Sequence, residues 1–154
     1  MKGDEQVISK LNELLEQELT AINQYMVHSE MDENWGYGKL HDSVEKRAFT
    51  EMKHAESLIE RILYLEGTPI VSNLGEIHIG SDVPKQHKSD LGLEKHAVAQ
   101  YNEAIGLAVE KGDNGTRELL TDILTQEEEH IDDLEARLDQ IDQMGLPNYL
   151  TQQV

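Results

Sequence analysis

Gly67-Thr68-Pro69-Ile70-Val71-Ser72-Asn73-Leu74-Gly75-Glu76-Ile77-His78-Ile79-Gly80-Ser81 is a 15-residue stretch without helical periodicity, set between two segments that have it. Fully extended, it reaches about 50 Å, whereas a helix of about 28 residues is about 42 Å long. It can therefore cross a helical bundle from end to end. Structureless loops of this length are uncommon in compact domains, and a crossover is the reading that accounts for this one. The other breaks are short: Gly36-Tyr37-Gly38, Gly112-Asp113-Asn114-Gly115 and Gly145-Leu146-Pro147.

Working outward from these breaks leaves four segments, 5–34, 39–65, 83–111 and 116–144, each with apolar residues at helical spacing. Leu11, Leu14, Leu15, Ile22 and Tyr25 share a face of the first, and Val44, Ala48, Ala55, Leu58, Ile62 and Leu65 a face of the second. Leu91, Ala97, Val98, Tyr101, Ile105 and Ala108 do so in the third. The fourth offers Leu120, Ile123, Leu124, Ile131, Leu134, Leu138 and Ile141. Short connections make helices one and two antiparallel neighbours, and likewise three and four. The crossover then makes two and three parallel. The expectation is an all-α four-helix bundle with one long crossover between helices two and three, residues 1–154 forming a single domain. Asp82 before Val83-Pro84 reads as an N-cap, Gly145 as a helix stop, and Asn148 to Gln153 as a short C-terminal helix.

Each apolar stripe carries a carboxylate at its middle: Glu18, Glu51, Glu94 and Glu127. Two of them begin Glu-x-x-His units, Glu51-Met52-Lys53-His54 and Glu127-Glu128-Glu129-His130. One such unit in a Glu-rich chain is ordinary surface decoration. The spacing is the signal. Glu18 to Glu51 and Glu94 to Glu127 are each 33 residues apart, and the second pair repeats the first at an offset of 76. Docked about a pseudo-two-fold axis, the halves would gather four Glu and two His in the core, the ligand set of di-iron carboxylate bundles. Even one unpaired buried ion costs several kcal/mol, and Arg47 is the best basic residue available on the same face. Metal is the natural compensation, and carboxylates with two imidazoles suit iron or manganese. Glu51 and Glu127 suit bridging positions, Glu18 and Glu94 terminal ones, with His54 and His130 each taking one of two iron ions. Tyr25 stands two turns from Glu18, placed for a hydrogen bond to a ligand, for electron donation or for an ordinary buried hydrogen bond.

Composition narrows the partners. Thirteen basic and 31 acidic residues leave a formal charge of −18, which argues against nucleic acid and suits a cage that draws cations. No cysteine is present, so disulfides, thiolate metal sites and cysteine nucleophiles are out. No apolar run is long enough for a membrane span, and Met1-Lys2-Gly3-Asp4-Glu5 lacks a secretory leader's apolar stretch, so a cytoplasmic protein is expected. Helices one and two carry a second stripe each, Ile8, Leu19 and Met26 facing Met52, Ile59 and Leu63. It reads either as a broadened core or as a subunit interface.

Met1-Lys2-Gly3-Asp4, Glu18-Leu19-Thr20-Ala21-Ile22-Asn23-Gln24-Tyr25 and Glu51-Met52-Lys53-His54-Ala55 resemble the bacterioferritin family. Ile59-Glu60-Arg61-Ile62-Leu63, Leu65-Glu66-Gly67 and Asn148-Tyr149-Leu150 extend the resemblance to the whole chain. It implies a ferritin-like bundle and a 24-subunit homo-oligomeric shell that oxidises Fe(II) and stores ferric mineral. It also implies haem b at two-fold interfaces, with Met52 in the position of the axial ligand, and a ferredoxin-type reductase for iron release. Lys46 and Thr50 stand where several relatives carry a His and an Asp that resemble an additional iron site, and Asp133 where some carry Trp. The main competing expectation is a di-iron peroxidase or oxygenase without mineral storage. A DNA-protecting mini-ferritin is disfavoured, because all six ligands lie on one bundle and no basic arm exists. A metal-free structural oligomer is the remaining alternative.

Overall fold

The computed structural model describes all 154 residues as five helices: α1 (Glu5–Asn34), α2 (Gly38–Tyr64), α3 (Val83–Glu110), α4 (Asn114–Met144) and α5 (Leu146–Thr151). The four long helices fall within two residues of their expected limits. Helix α4 starts two residues early because Asp113 caps it, accepting the Thr116 N–H while the Thr116 hydroxyl donates back. Asp4 caps α1 through the N–H groups of Gln6 and Val7, and Asp82 caps α3 through Lys85, as its sequence position suggests. Gly145 takes a φ of +80°, a left-handed conformation natural to glycine, and turns the chain from α4 into α5.

Contacts along the helices give their directions. Gly3 donates to the Leu65 carbonyl at one end of the α1–α2 pair, and His41 meets the Ser29 carbonyl at the other. Arg61 binds Asp113 at one end of α2–α4, while Arg137 binds Ser43 at the other. Tyr101 meets Glu18, and Asp90 meets Gln24, across α1–α3. Helix α1 is thus antiparallel to α2 and α3, and α2 to α4. Helices α2 and α3 run parallel, joined by the long connection. This is the ferritin-like four-helix bundle with one crossover and a short terminal helix.

The crossover is tied down, although its sequence has no periodicity. Asn12 bonds Thr68 and Ile70, Thr20 accepts from Gly75, Gln24 from His78 and His28 from Gly80. These four α1 residues lie four or eight apart, one row along the helix. Backbone groups of a segment without secondary structure are thereby satisfied by side chains.

Two apolar cores lie on either side of the mid-helix carboxylates. The larger joins Leu11, Leu14 and Leu15 to Leu58, Ile62, Tyr101, Leu120 and Ile123. The smaller holds Ala21, Tyr25, Leu40, Val44, Val83 and Tyr149 under α5. The remaining residues of the expected stripes, such as Leu91, Val98 and Ile131, are half-buried and none is exposed.

Candidate metal centre

Between the two cores the polar side chains converge. Glu18, Glu51, His54, Glu94 and Glu127 are each at most 3% exposed, and His130 reaches partly to solvent. The six form two overlapping groups, Glu18–Glu51–His54–Glu127 and Glu51–Glu94–Glu127–His130, whose candidate donor atoms lie within 4.8 Å of one another. Glu51 and Glu127 belong to both. Glu51 places Oε2 3.2 Å from His54 Nδ1 and Oε1 3.0 Å from His130 Nδ1. Glu127 places Oε1 2.8 Å from His54 Nδ1 and Oε2 4.0 Å from His130 Nδ1. Glu18 approaches only His54, at 3.5 Å, and Glu94 only His130, at 3.3 Å.

The outer carboxylates are each held by one oxygen. The Tyr25 hydroxyl donates to Glu94 Oε1 and the Tyr101 hydroxyl to Glu18 Oε1. Glu18 Oε2, Glu94 Oε2 and His130 Nδ1 are buried with no hydrogen-bond partner, a state that ordinarily costs stability. His54 Nε2 lies 2.8 Å from the Gln126 side-chain oxygen and donates to it, which turns Nδ1 toward the cluster. The cavity enclosed by Gln17, Tyr25, Leu93 and the four carboxylates is about 10 Å³. That admits a water or small ions and no organic molecule.

Crowding disturbs the protonation of the metal-free cluster. Burial first, and then the charges of Glu18, Glu94 and Glu127, pushes Glu51 well above the usual carboxylate range. Burial and the Glu18 charge do the same to Glu127. Burial also works upward on Glu94, but the neighbouring Glu127 and His130 hold it down at about 2. His54 would be lowered by burial, yet the Glu127 and Glu18 carboxylates outweigh it and raise it to about 10. The cluster without metal therefore retains protons that two divalent cations would displace.

A family model described as a ferritin-like domain matches residues 8–144. The bacterioferritin of Mycolicibacterium paratuberculosis is 42% identical over 99% of this chain and 96% of its own length. That of Mycobacterium avium is 41% identical over the same shares, and the bacterial ferritin of Pseudomonas aeruginosa is 41% identical over the full length of both chains. The chain belongs to the bacterioferritin family. Bacterioferritin membership makes iron storage the broad role, and the buried Glu–His cluster is compatible with iron.

Set against the bacterioferritin reading of the sequence, Lys46, Thr50 and Asp133 gather with His130 around a pocket of about 370 Å³ on the α2–α4 face. Met52 points away from the cluster, 38% exposed, on a face with Met26, Leu63 and the half-buried Leu19 and Ile59. Arg47, offered by its helical position as a counter-charge to the glutamates, instead binds Asp90 at 2.9 Å. Tyr101 and Gln126 were not singled out as site residues. Tyr101 had a usable signal: it follows Tyr25 at the same 76-residue offset that relates the ligand pairs. Gln126 carries none, because only the turn of α4 brings it to His54.

Proposed function

We propose that the chain is the ferroxidase and storage subunit of a bacterioferritin shell. One observation carries the proposal: Glu51 and Glu127 each present one oxygen to the His54 side of the cluster and the other to the His130 side. The substrate is Fe(II), two ions per chain, with Glu18 and His54 on one, Glu94 and His130 on the other, and Glu51 and Glu127 bridging. Each Fe(II) gives up one electron, and dioxygen takes the pair with two protons to become hydrogen peroxide; peroxide can serve as oxidant in turn. Four carboxylates neutralise two Fe(II), whereas two Fe(III) leave a charge of about +2 by the same count. That excess favours hydroxide uptake and transfer of ferric iron to mineral. A groove of about 690 Å³ lined by Glu13, Glu16 and Glu76 shares Gln17 and Leu93 with the small cavity, which supports it as the approach for Fe(II).

The 154 residues act as one di-iron domain, and 24 copies enclose the mineral. The shell works in the cytoplasm, with a ferredoxin-type reductase for iron release, and no helix is long and apolar enough to cross a membrane. The cavity of about 10 Å³ speaks against an oxygenase with an organic substrate. Storage without oxidase loss is tested directly by anaerobic loading followed by oxygen. The rapid phase of oxygen uptake is expected to saturate at two Fe(II) per chain, with hundreds of further irons co-sedimenting with the shell. Rapid turnover with no iron retained would instead establish a peroxidase.

The exposed stripe on α1 and α2 fits haem. Met52 presents a thioether among apolar side chains, and two such faces meeting across a two-fold axis would enclose a flat apolar pocket. Met52 would hold the group, one residue from each of two copies, and bound haem supplies electron transfer toward stored Fe(III). Met52→Leu, which keeps volume and apolarity, is expected to remove haem and leave shell assembly and Fe(II) oxidation unchanged. Full haem occupancy with a bis-thioether spectrum in that variant would remove Met52 from this role.

A further inference from the structure

The two tyrosines that hold the outer carboxylates have unlike surroundings. Tyr101 lies in the larger apolar core. Tyr25 lies beneath a guanidinium: the central carbon of Arg47 is 4.5 Å from its ring centroid. Arg47 is 5% exposed, and its Nη1 donates to Asp90 Oδ2 at 2.9 Å. Asp90, fully buried, accepts at Oδ1 from Gln24 Nε2 and pairs there with His28 Nδ1, both at 2.8 Å. The crossover closes the far side of each partner. The His78 N–H donates to Gln24 Oε1 and the Gly80 N–H to His28 Nε2, both at 3.0 Å. A ring nitrogen that accepts cannot carry the proton, so the His28 proton sits on Nδ1 and is donated to Asp90. Gly80 is needed for this approach, because a Cβ there would stand 2.3 Å from the Gln86 nitrogen.

We propose that Asp90 and Arg47 are positioning residues for one of the two metal positions. Asp90, clamped from α1, α2 and the crossover, holds Arg47 flat against Tyr25. The ring is thereby set so that its hydroxyl holds Glu94 Oε1, the oxygen 3.3 Å from His130 Nδ1, and leaves the buried Oε2 without a hydrogen-bond partner, free for an ion. A charge stacked on a ring in a dry site favours one ring placement over others. Glu18 and Tyr101 have no charged counterpart, so the other position is independent of this network. The proposal rests on the six residues being metal ligands, and adds that the two positions are supported unequally.

Anaerobic Co(II) titration of the assembled protein, followed by visible absorption, tests both statements. The unaltered chain should bind two Co(II). Asp90→Asn keeps the shape but turns an amide donor toward Arg47 Nη1, releasing the guanidinium. The expected result is one Co(II) bound as before and the second bound about 10–100-fold more weakly, with an altered spectrum. Adding Arg47→Gln removes the guanidinium that Asp90→Asn has already released, so it should weaken the second position little further. Should Asp90→Asn fail to fold, Arg47→Lys carries the test, since it keeps the charge but loses the planar cover on Tyr25. Two unchanged affinities in the variant that folds overturn the proposal. So does equal weakening of both positions, which would mark a general structural role. Failure of the unaltered chain to bind two Co(II) overturns the six-ligand reading and this proposal with it.

Discussion

Glu127→Gln abolishes rapid Fe(II) oxidation and raises the melting temperature of the metal-free protein. Both effects come from one carboxylate that reaches both sides of the cluster. An amide of the same shape offers one weak neutral donor where two ions need an anionic bridge, so the rapid phase should slow by more than the roughly 100-fold typical of losing a supporting residue. Without metal the same carboxylate is a burden, crowded against Glu18 and Glu94 and pushed toward protonation. A neutral amide of the same shape relieves that crowding, and each kcal/mol gained raises the melting temperature by about 2–4 °C for a chain of this size. Stopped-flow oxidation and calorimetry in chelator, at fixed protein concentration, measure the two. Unchanged oxidation together with a lowered melting temperature would make Glu127 an ordinary hydrogen-bonding core residue. Glu18→Ala, Glu94→Ala and His130→Ala should slow the same phase with the fold intact.

The second large effect is a reversal of pH dependence on metal binding. His54 is raised to about 10 and Glu51 well above its usual range in the folded, metal-free chain. Between pH 7 and 9 folded His54 keeps a proton that the unfolded chain has lost, so stability falls as pH rises, by about 1.4 kcal/mol per pH unit. Metal requires these groups deprotonated, so binding releases protons and affinity rises over the same window. Melting temperatures with chelator should decline from pH 7 to 9, while the increment from Co(II) should grow. A pH-independent increment would mean that these side chains release no protons to the metal.

Much of this was legible because it depends on periodicity. The four stripes repeat at helical spacing, the breaks are marked by Gly and Pro, and equal 33-residue intervals place Glu18 beside Glu51 and Glu94 beside Glu127. Antiparallel pairing of adjacent helices then makes convergence a matter of counting. Interactions that cross between elements without a repeat were not legible. Gln24, His28 and Asp90 look like polar residues at the edge of an amphipathic helix, yet they are buried, because the crossover lies over that edge and bonds to it. Arg47 faces the bundle interior as its position in α2 requires, but its Nη1 donates to Asp90 and not to the glutamates. Helical phase sets the direction of a side chain, and its partner is decided by depth along a neighbouring helix.

The central claim is that six side chains on four helices hold two iron ions through two shared carboxylates. Anomalous diffraction at the iron edge, from crystals loaded anaerobically with Fe(II), tests it most directly. The account predicts two peaks per chain about 3.5–4 Å apart, one beside His54 and Glu18, the other beside His130 and Glu94, with Glu51 and Glu127 reaching both. A single peak, or iron found only outside these six residues, would contradict it.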